Sequence, residues 1–122
     1  MQTVNKSANT IEEGFEFLKE AAIQDYKEFI ENENMIKEYE DNIQLEVGGS
    51  KFFKITTGKS NYRSVFGFIV KEDTFTPGGQ LQFKKGDILK AASWKAPAKN
   101  RARGNVLVGN YPIQWTGPLY LS

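Results

Sequence analysis

The chain has 122 residues, of which 39% are hydrophobic, 13% aromatic and 25% charged, with a formal net charge of +1 and neither His nor Cys. These are the proportions of one globular domain, residues 1–122, rather than of a disordered chain. The missing residue types exclude disulfides, thiolate nucleophiles, imidazole-based triads and His/Cys zinc sites.

The first element in chain order is a helix. Thr10-Ile-Glu-Glu13 reads as a capping box, with the Thr10 hydroxyl accepting from the third helical N–H and Glu13 reaching back to the cap. Downstream, Ile11, Phe15, Leu18, Ala22, Tyr26, Phe29, Ile36, Tyr39 and Ile43 recur at spacings of mostly three and four, while Glu12, Glu16, Glu20, Glu28 and Glu31 turn away from that stripe. A long amphipathic helix is expected, with a break near Asn32-Glu33-Asn34 dividing it in two. Its stripe packs on the rest of the domain, or pairs with a second copy to give a homo-oligomer.

Strand signals follow from Ile43. IQLEV alternates, Gly48-Gly49 turns, KFFKI resumes, SVFGFIV is a continuous apolar run, and Pro77-Gly-Gly79 turns before QLQF. Lys85-Gly-Asp87 then leads into ILKAA, and VLV and PIQW close the set around Gly109-Asn110. No helical crossover separates these strands, which excludes a parallel α/β sheet. The expected class is α+β: an acidic helical segment, 1–42, packed on a basic β-rich segment, 43–122, that forms a small antiparallel β-barrel or strongly curled sheet.

The near-neutral total hides a dipolar chain. Residues 1–47 carry 12 acidic and 4 basic residues, a balance of −8, whereas residues 48–122 carry 3 acidic and 12 basic residues, a balance of +9. The basic charge concentrates in KAASWKAPAKNRARGN, residues 90–105, which contains no acidic residue and reads as an exposed loop broken by Pro97. A polyanionic partner is the expectation that such asymmetry raises. Aromatic residues interleaved with Lys and Arg suit single-stranded DNA or RNA, so the candidate site comprises Lys84, Lys85, Lys90, Lys95, Lys99, Arg101 and Arg103 on phosphates, with Trp94 stacking on a base. Trp115, in the closing strand, is assigned to the core.

Other motifs carry less. Phe66-Gly-Phe-Ile69 resembles the strand motif of cold-shock domains and RNA-recognition motifs, whose aromatics stack on unpaired bases. Alternation puts Phe66 and Phe68 on one face, as that use requires. Val65 and Lys71 depart from the pattern, and two such Phe also suit a core. Gly58-Lys59-Ser60 imitates the end of a phosphate-binding loop, but position 53 is Phe where that loop needs Gly. No carboxylate pair, activated nucleophile or ligand cluster can be pointed to, so neither catalysis nor a cofactor or metal is expected, although Arg63, Glu72, Trp94 and Arg103 are the polar residues that a site would draw on.

Residues 84–105 and 113–121 together resemble small uncharacterised proteins encoded by tailed bacteriophages. That resemblance implies a soluble protein of the infected cell's cytoplasm, and either a nucleic-acid binder or an inhibitor of a host protein; it transfers no site residue. No apolar run approaches the roughly 18 residues of a membrane span, and MQTVNKSANT is too polar for a signal peptide, which gives the same cytoplasmic, membrane-free expectation from composition. The alternative to nucleic-acid binding is a protein-binding module or inhibitor that meets its partner through the acidic helix or the basic loop.

Overall fold

In a computed structural model, which describes residues 1–47, 49–59 and 61–119, two helices precede most of the strands. Gly48 of the expected turn, Ser60 of the phosphate-loop imitation and the Tyr120-Leu121 end of the closing segment lie outside the described residues. Helix α1 spans Ile11–Phe29 and α2 spans Glu33–Asn42. Thr10 Oγ1 accepts from the Glu13 N–H at 3.1 Å, and Glu13 answers by accepting from the Asn9 N–H at 2.9 Å, one residue before the cap. Asn32 caps α2 by accepting from the Met35 N–H at 3.0 Å, so the expected break is the start of a second helix with its own cap.

The apolar stripe of α1 is buried in its own chain. Ile11, Phe15, Leu18 and Ala22 are all 5% exposed or less, whereas Phe29, placed on the same stripe by spacing, is 65% exposed. Gly14 also belongs to the buried face: a Cβ there would lie 2.5 Å from the Val106 carbonyl oxygen, so α1 is seated directly on the backbone of the 106–108 turn.

The strands form three small antiparallel sheets. β1 (Gln2–Val4) pairs with β8 (Tyr111–Ile113), β5 (Thr74–Phe75) with β6 (Leu81–Phe83), and the largest sheet runs β2 (Gln44–Glu46), β3 (Phe52–Thr57), β4 (Ser64–Val70), β7 (Ile88–Leu89). The class is therefore α+β with antiparallel pairing, but among the described residues there is no closed barrel and the main sheet is not strongly curled. Closure fails for identifiable reasons. β7 pairs with β4 at only Phe68↔Leu89 and Ile69↔Ile88, and β8, the last strand available to close the main sheet, pairs with β1 instead.

Two expected strands are shorter or absent. ILKAA stops at Leu89 because the chain then folds into a tight loop with an Ala91↔Pro97 bridge. VLV is a turn, because Asn105 Oδ1 accepts from the Leu107 and Val108 N–H groups at 2.8 and 3.2 Å and draws the backbone out of the ladder.

The main sheet is a middle layer. On one face Ile55, Ile69 and Ile88 join Phe15, Leu18 and Ala22 of α1 in the principal core, together with Val4, Tyr111 and Ile113 of the two-stranded terminal sheet. On the other face Phe68, Val70 and Leu89 form a second cluster with Phe83, Phe52, Ala91 and Ala102. Helices thus cover one side and the segment following β7 covers the other. Each fully buried Ile, Leu or Phe contributes about 1.5–3 kcal/mol of transfer free energy, so both layers are held mainly by this burial.

A β-bulge overturns the reading of FGFI. Ile55 faces Gly67 but Thr56 faces Val65, which leaves Phe66 as the extra residue. Phe66 therefore points into the principal core and Phe68 into the second cluster, on opposite faces, at 3% and 2% exposure. Neither ring is open to a base. The close approach that Gly67 permits is made by the chain itself: a Cβ there would lie 3.1 Å from the Leu89 carbonyl oxygen and 3.2 Å from Pro118 Cγ.

Candidate functional site

Residues 90–105 are not a loose loop. Ala92 and Ser93 N–H groups donate to the Ala96 carbonyl at 3.0 and 3.1 Å, Ala98 N–H donates to the Lys90 carbonyl at 2.7 Å, and Ser93 Oγ accepts from Ala96 N–H at 3.2 Å. Trp94 and Lys95 are held at the tip of this small loop. The far end returns to the sheet, with Arg103 N–H donating to the Ile88 carbonyl and Ile88 N–H to the Gly104 carbonyl, both at 2.8 Å. Pro97 is buried, and Ala91 and Ala102 pack on the second cluster, so apolar residues anchor the segment while charged ones face outward.

The expected site residues divide into two groups. Lys84, Lys85, Lys95, Lys99 and Arg101 are exposed, and Trp94 is 47% exposed. Lys90 and Arg103 are half-buried instead. Lys90 Nζ donates to the Pro118 carbonyl at 2.9 Å, and its pKa is lowered first by desolvation and then by the neighbouring Arg103 guanidinium. Arg103 Nε and Nη1 are buried without a hydrogen-bond partner among the described residues. Lys90 and Arg103 are thus set back toward their own chain, unlike the five exposed cations, a distinction that counting charges along the chain could not make.

Lys54 adds a member from outside the basic segment. Its ammonium sits 4.2 Å from the Trp94 ring centroid, because alternation along β3 puts Phe52 and Lys54 on the face that the basic segment covers. Lys99 lies 5.9 Å from the Phe52 ring, which is itself edge-on to Phe68 at 6.2 Å. These contacts fix aromatic and cationic groups against each other along the outer side of the second cluster.

The acidic half meets this surface at its edge, where Glu12 and Lys85 line one shallow cleft without forming an ion pair. Between the acidic and basic halves the described residues contain one ion pair, Lys59 to Glu38 at 3.4 Å. None of the Lys84, Lys85, Lys95, Lys99, Arg101 and Arg103 side chains forms an ion pair within 4.0 Å among the described residues. The acidic groups near Lys84 and Lys85 are engaged by backbone: Asp87 accepts from the Lys84 N–H and Asp73 from the Lys85 N–H, both at 2.8 Å. Arg63, one of the polar residues that a site would draw on, donates to the Gly58 carbonyl and to Thr56 Oγ1, whose hydroxyl donates to Glu46, so its side chain ties Gly58 to β2 and β3.

Trp115 lies on the helical side. Its ring contacts Tyr26 at 5.0 Å and Tyr39 at 6.3 Å, its N–H donates to the buried Asp25 at 2.8 Å, and its carbonyl accepts from the Tyr39 hydroxyl at 2.7 Å. Trp115, expected in the core, is half-buried and joins neither core cluster; it packs on the two helical tyrosines instead. Among the described residues no group of three or more acidic side chains could hold a metal ion, and no helix is long and apolar enough to cross a membrane.

A family profile described as a family of unknown function, DUF7717, matches residues 1–120, and the chain belongs to that family. No curated protein and no solved structure matches the chain.

Proposed function

We propose that this DUF7717 protein binds single-stranded nucleic acid without catalysis, through the exposed basic surface of residues 84–101. Lys84, Lys85, Lys95, Lys99 and Arg101 contact phosphates, and Trp94, flanked by Lys54, stacks on an unpaired base. The observation that carries the reading is the set of five exposed cations, none in a side-chain ion pair among the described residues, of which Lys95, Lys99 and Arg101 belong to the segment that Ala91 and Ala102 anchor on the second cluster. Cations left unpaired by their own chain are what counterion release from a polyanion requires, and a half-exposed indole beside an ammonium suits a base whose π-face is free. The same reading makes the protein cytoplasmic, as the resemblance to phage proteins also implies.

The test is fluorescence anisotropy of labelled single-stranded DNA, duplex DNA and RNA of about 20 nucleotides at low and near-physiological salt. Salt-sensitive binding with preference for single strands is expected. Absence of binding at low salt refutes the reading and turns attention to a protein partner for the same surface.

A further inference from the structure

Beside the basic segment lies a cleft of about 370 Å³, bounded by the start of β3, the β5–β6 hairpin and Lys99. Its volume is at the lower end of the roughly 300–1,000 Å³ of small-ligand sites, which suits a nucleotide-sized group. Phe75 lines it and is 60% exposed, an unusual setting for a large ring on a two-residue strand with no core function. Phe52 lines the opposite part, its orientation set by edge-on contact with Phe68. Lys51 and Lys99 stand at the rim, and Lys99 also belongs to the basic surface, so the two regions are continuous. Glu72 and Gln82 line the cleft as well, and neither side chain has a hydrogen-bond or ion-pair partner among the described residues.

We infer that this cleft is a second base-binding subsite, taking one unpaired nucleobase of the strand whose phosphates run along the basic surface. The inference rests on the nucleic-acid reading above and adds to it where a base is held and why a duplex is disfavoured. An exposed aromatic supplies the π-face, Lys99 meets a flanking phosphate, and Lys51, Glu72 and Gln82 meet the polar edge of the base. Paired bases inside a duplex cannot present a face to Phe75, so the subsite acts on single strands alone.

Anisotropy titrations of the full chain and its Phe75→Ala and Phe75→Tyr variants, against a single-stranded 20-mer and the matching duplex, test this. Stacking on one aromatic is worth about 1–3 kcal/mol, so Phe75→Ala should weaken single-strand binding about 5- to 150-fold. Phe75→Tyr should stay within a few-fold of the parent, and duplex affinity should not change in either variant. Because Phe75 is exposed, an unchanged melting curve will show that the variants fold. A Phe75→Ala protein that binds single strands as tightly as the parent overturns the subsite while leaving the basic surface intact, as does an equal loss in Phe75→Tyr. A parent chain that binds neither probe overturns both.

Discussion

The division of the cations into exposed and half-buried groups makes a quantitative prediction for the double variant Lys99→Ala/Arg101→Ala. Each phosphate neutralised on a single strand adds about −0.7 to the slope of log affinity against log salt, so five exposed cations predict a slope near about −3.5. Between 50 and 200 mM salt that slope amounts to a loss of affinity of about 100-fold. Removing two contacts leaves a slope of about −2 and a loss of about 20-fold over the same interval. The magnitude depends on leaving Lys90 and Arg103 out of the count, because Lys90 is directed at the Pro118 carbonyl and the Arg103 Nε and Nη1 atoms are buried. The assay is anisotropy of a labelled single strand at four salt concentrations, with Lys37→Ala as a control, since Lys37 lies on α2 in an ion pair with Asp41. A double variant with the parent's slope, or a parent slope shallower than about −1, refutes the assignment of phosphate contacts to this surface.

Three further predictions concern stability. Gly14→Ala should destabilise the fold although alanine is about 1 kcal/mol the better helix former, because the new Cβ would lie 2.5 Å from the Val106 carbonyl oxygen and backbone would have to move; an unchanged melting temperature would contradict the seating of α1 on that turn. Tyr111→Phe should be neutral or stabilising, since it removes a buried hydroxyl without a partner among the described residues, whereas Tyr39→Phe should cost about 1 kcal/mol by losing the hydrogen bond to the Trp115 carbonyl; chemical denaturation of the two variants compares them directly. Burial pushes both phenols above their ordinary value, so the folded chain keeps protons that the unfolded chain releases near about pH 10. Their contribution is therefore complete below that pH and lost as pH rises above it, and the denaturation midpoint should fall between pH 9.5 and about 11, less steeply in Tyr111→Phe.

How far the sequence could be read depends on the range of the forces involved. The Thr10 and Asn32 caps and the Ser64–Val70 strand are set by neighbours within a few residues, and they stand where pattern and propensity put them. The two faces of β4 were not legible, because the bulge at Phe66 arises from its pairing with Ile55 and Thr56 across the sheet. β1 was missed altogether: three residues gain their partners at Tyr111–Ile113, at the other end of the chain, and no local periodicity announces this. In the candidate site, counting charges found the basic segment and its aromatic residue. It could not separate Arg103 from Arg101, because that separation follows from the return of residues 103–104 to β7. The exposure of Phe75 was hidden for a similar reason, since it follows from the pairing of β5 with β6 rather than with the main sheet.

The placement of helices and basic segment on opposite faces of one sheet has a consequence for how copies of the molecule behave together. With a net charge of only +1, little overall repulsion keeps copies apart. Each copy also carries a face that matches the opposite face of the next, and head-to-tail contacts of this kind do not close into a ring unless their rotation happens to permit it. The chain should therefore salt in: its solubility rises as modest ionic strength screens the attraction between neighbours. Under the proposed function, added salt should work against both associations at once, dispersing the protein and releasing it from a polyanion, while an excess of polyanion at low salt should also disperse it by occupying the basic face.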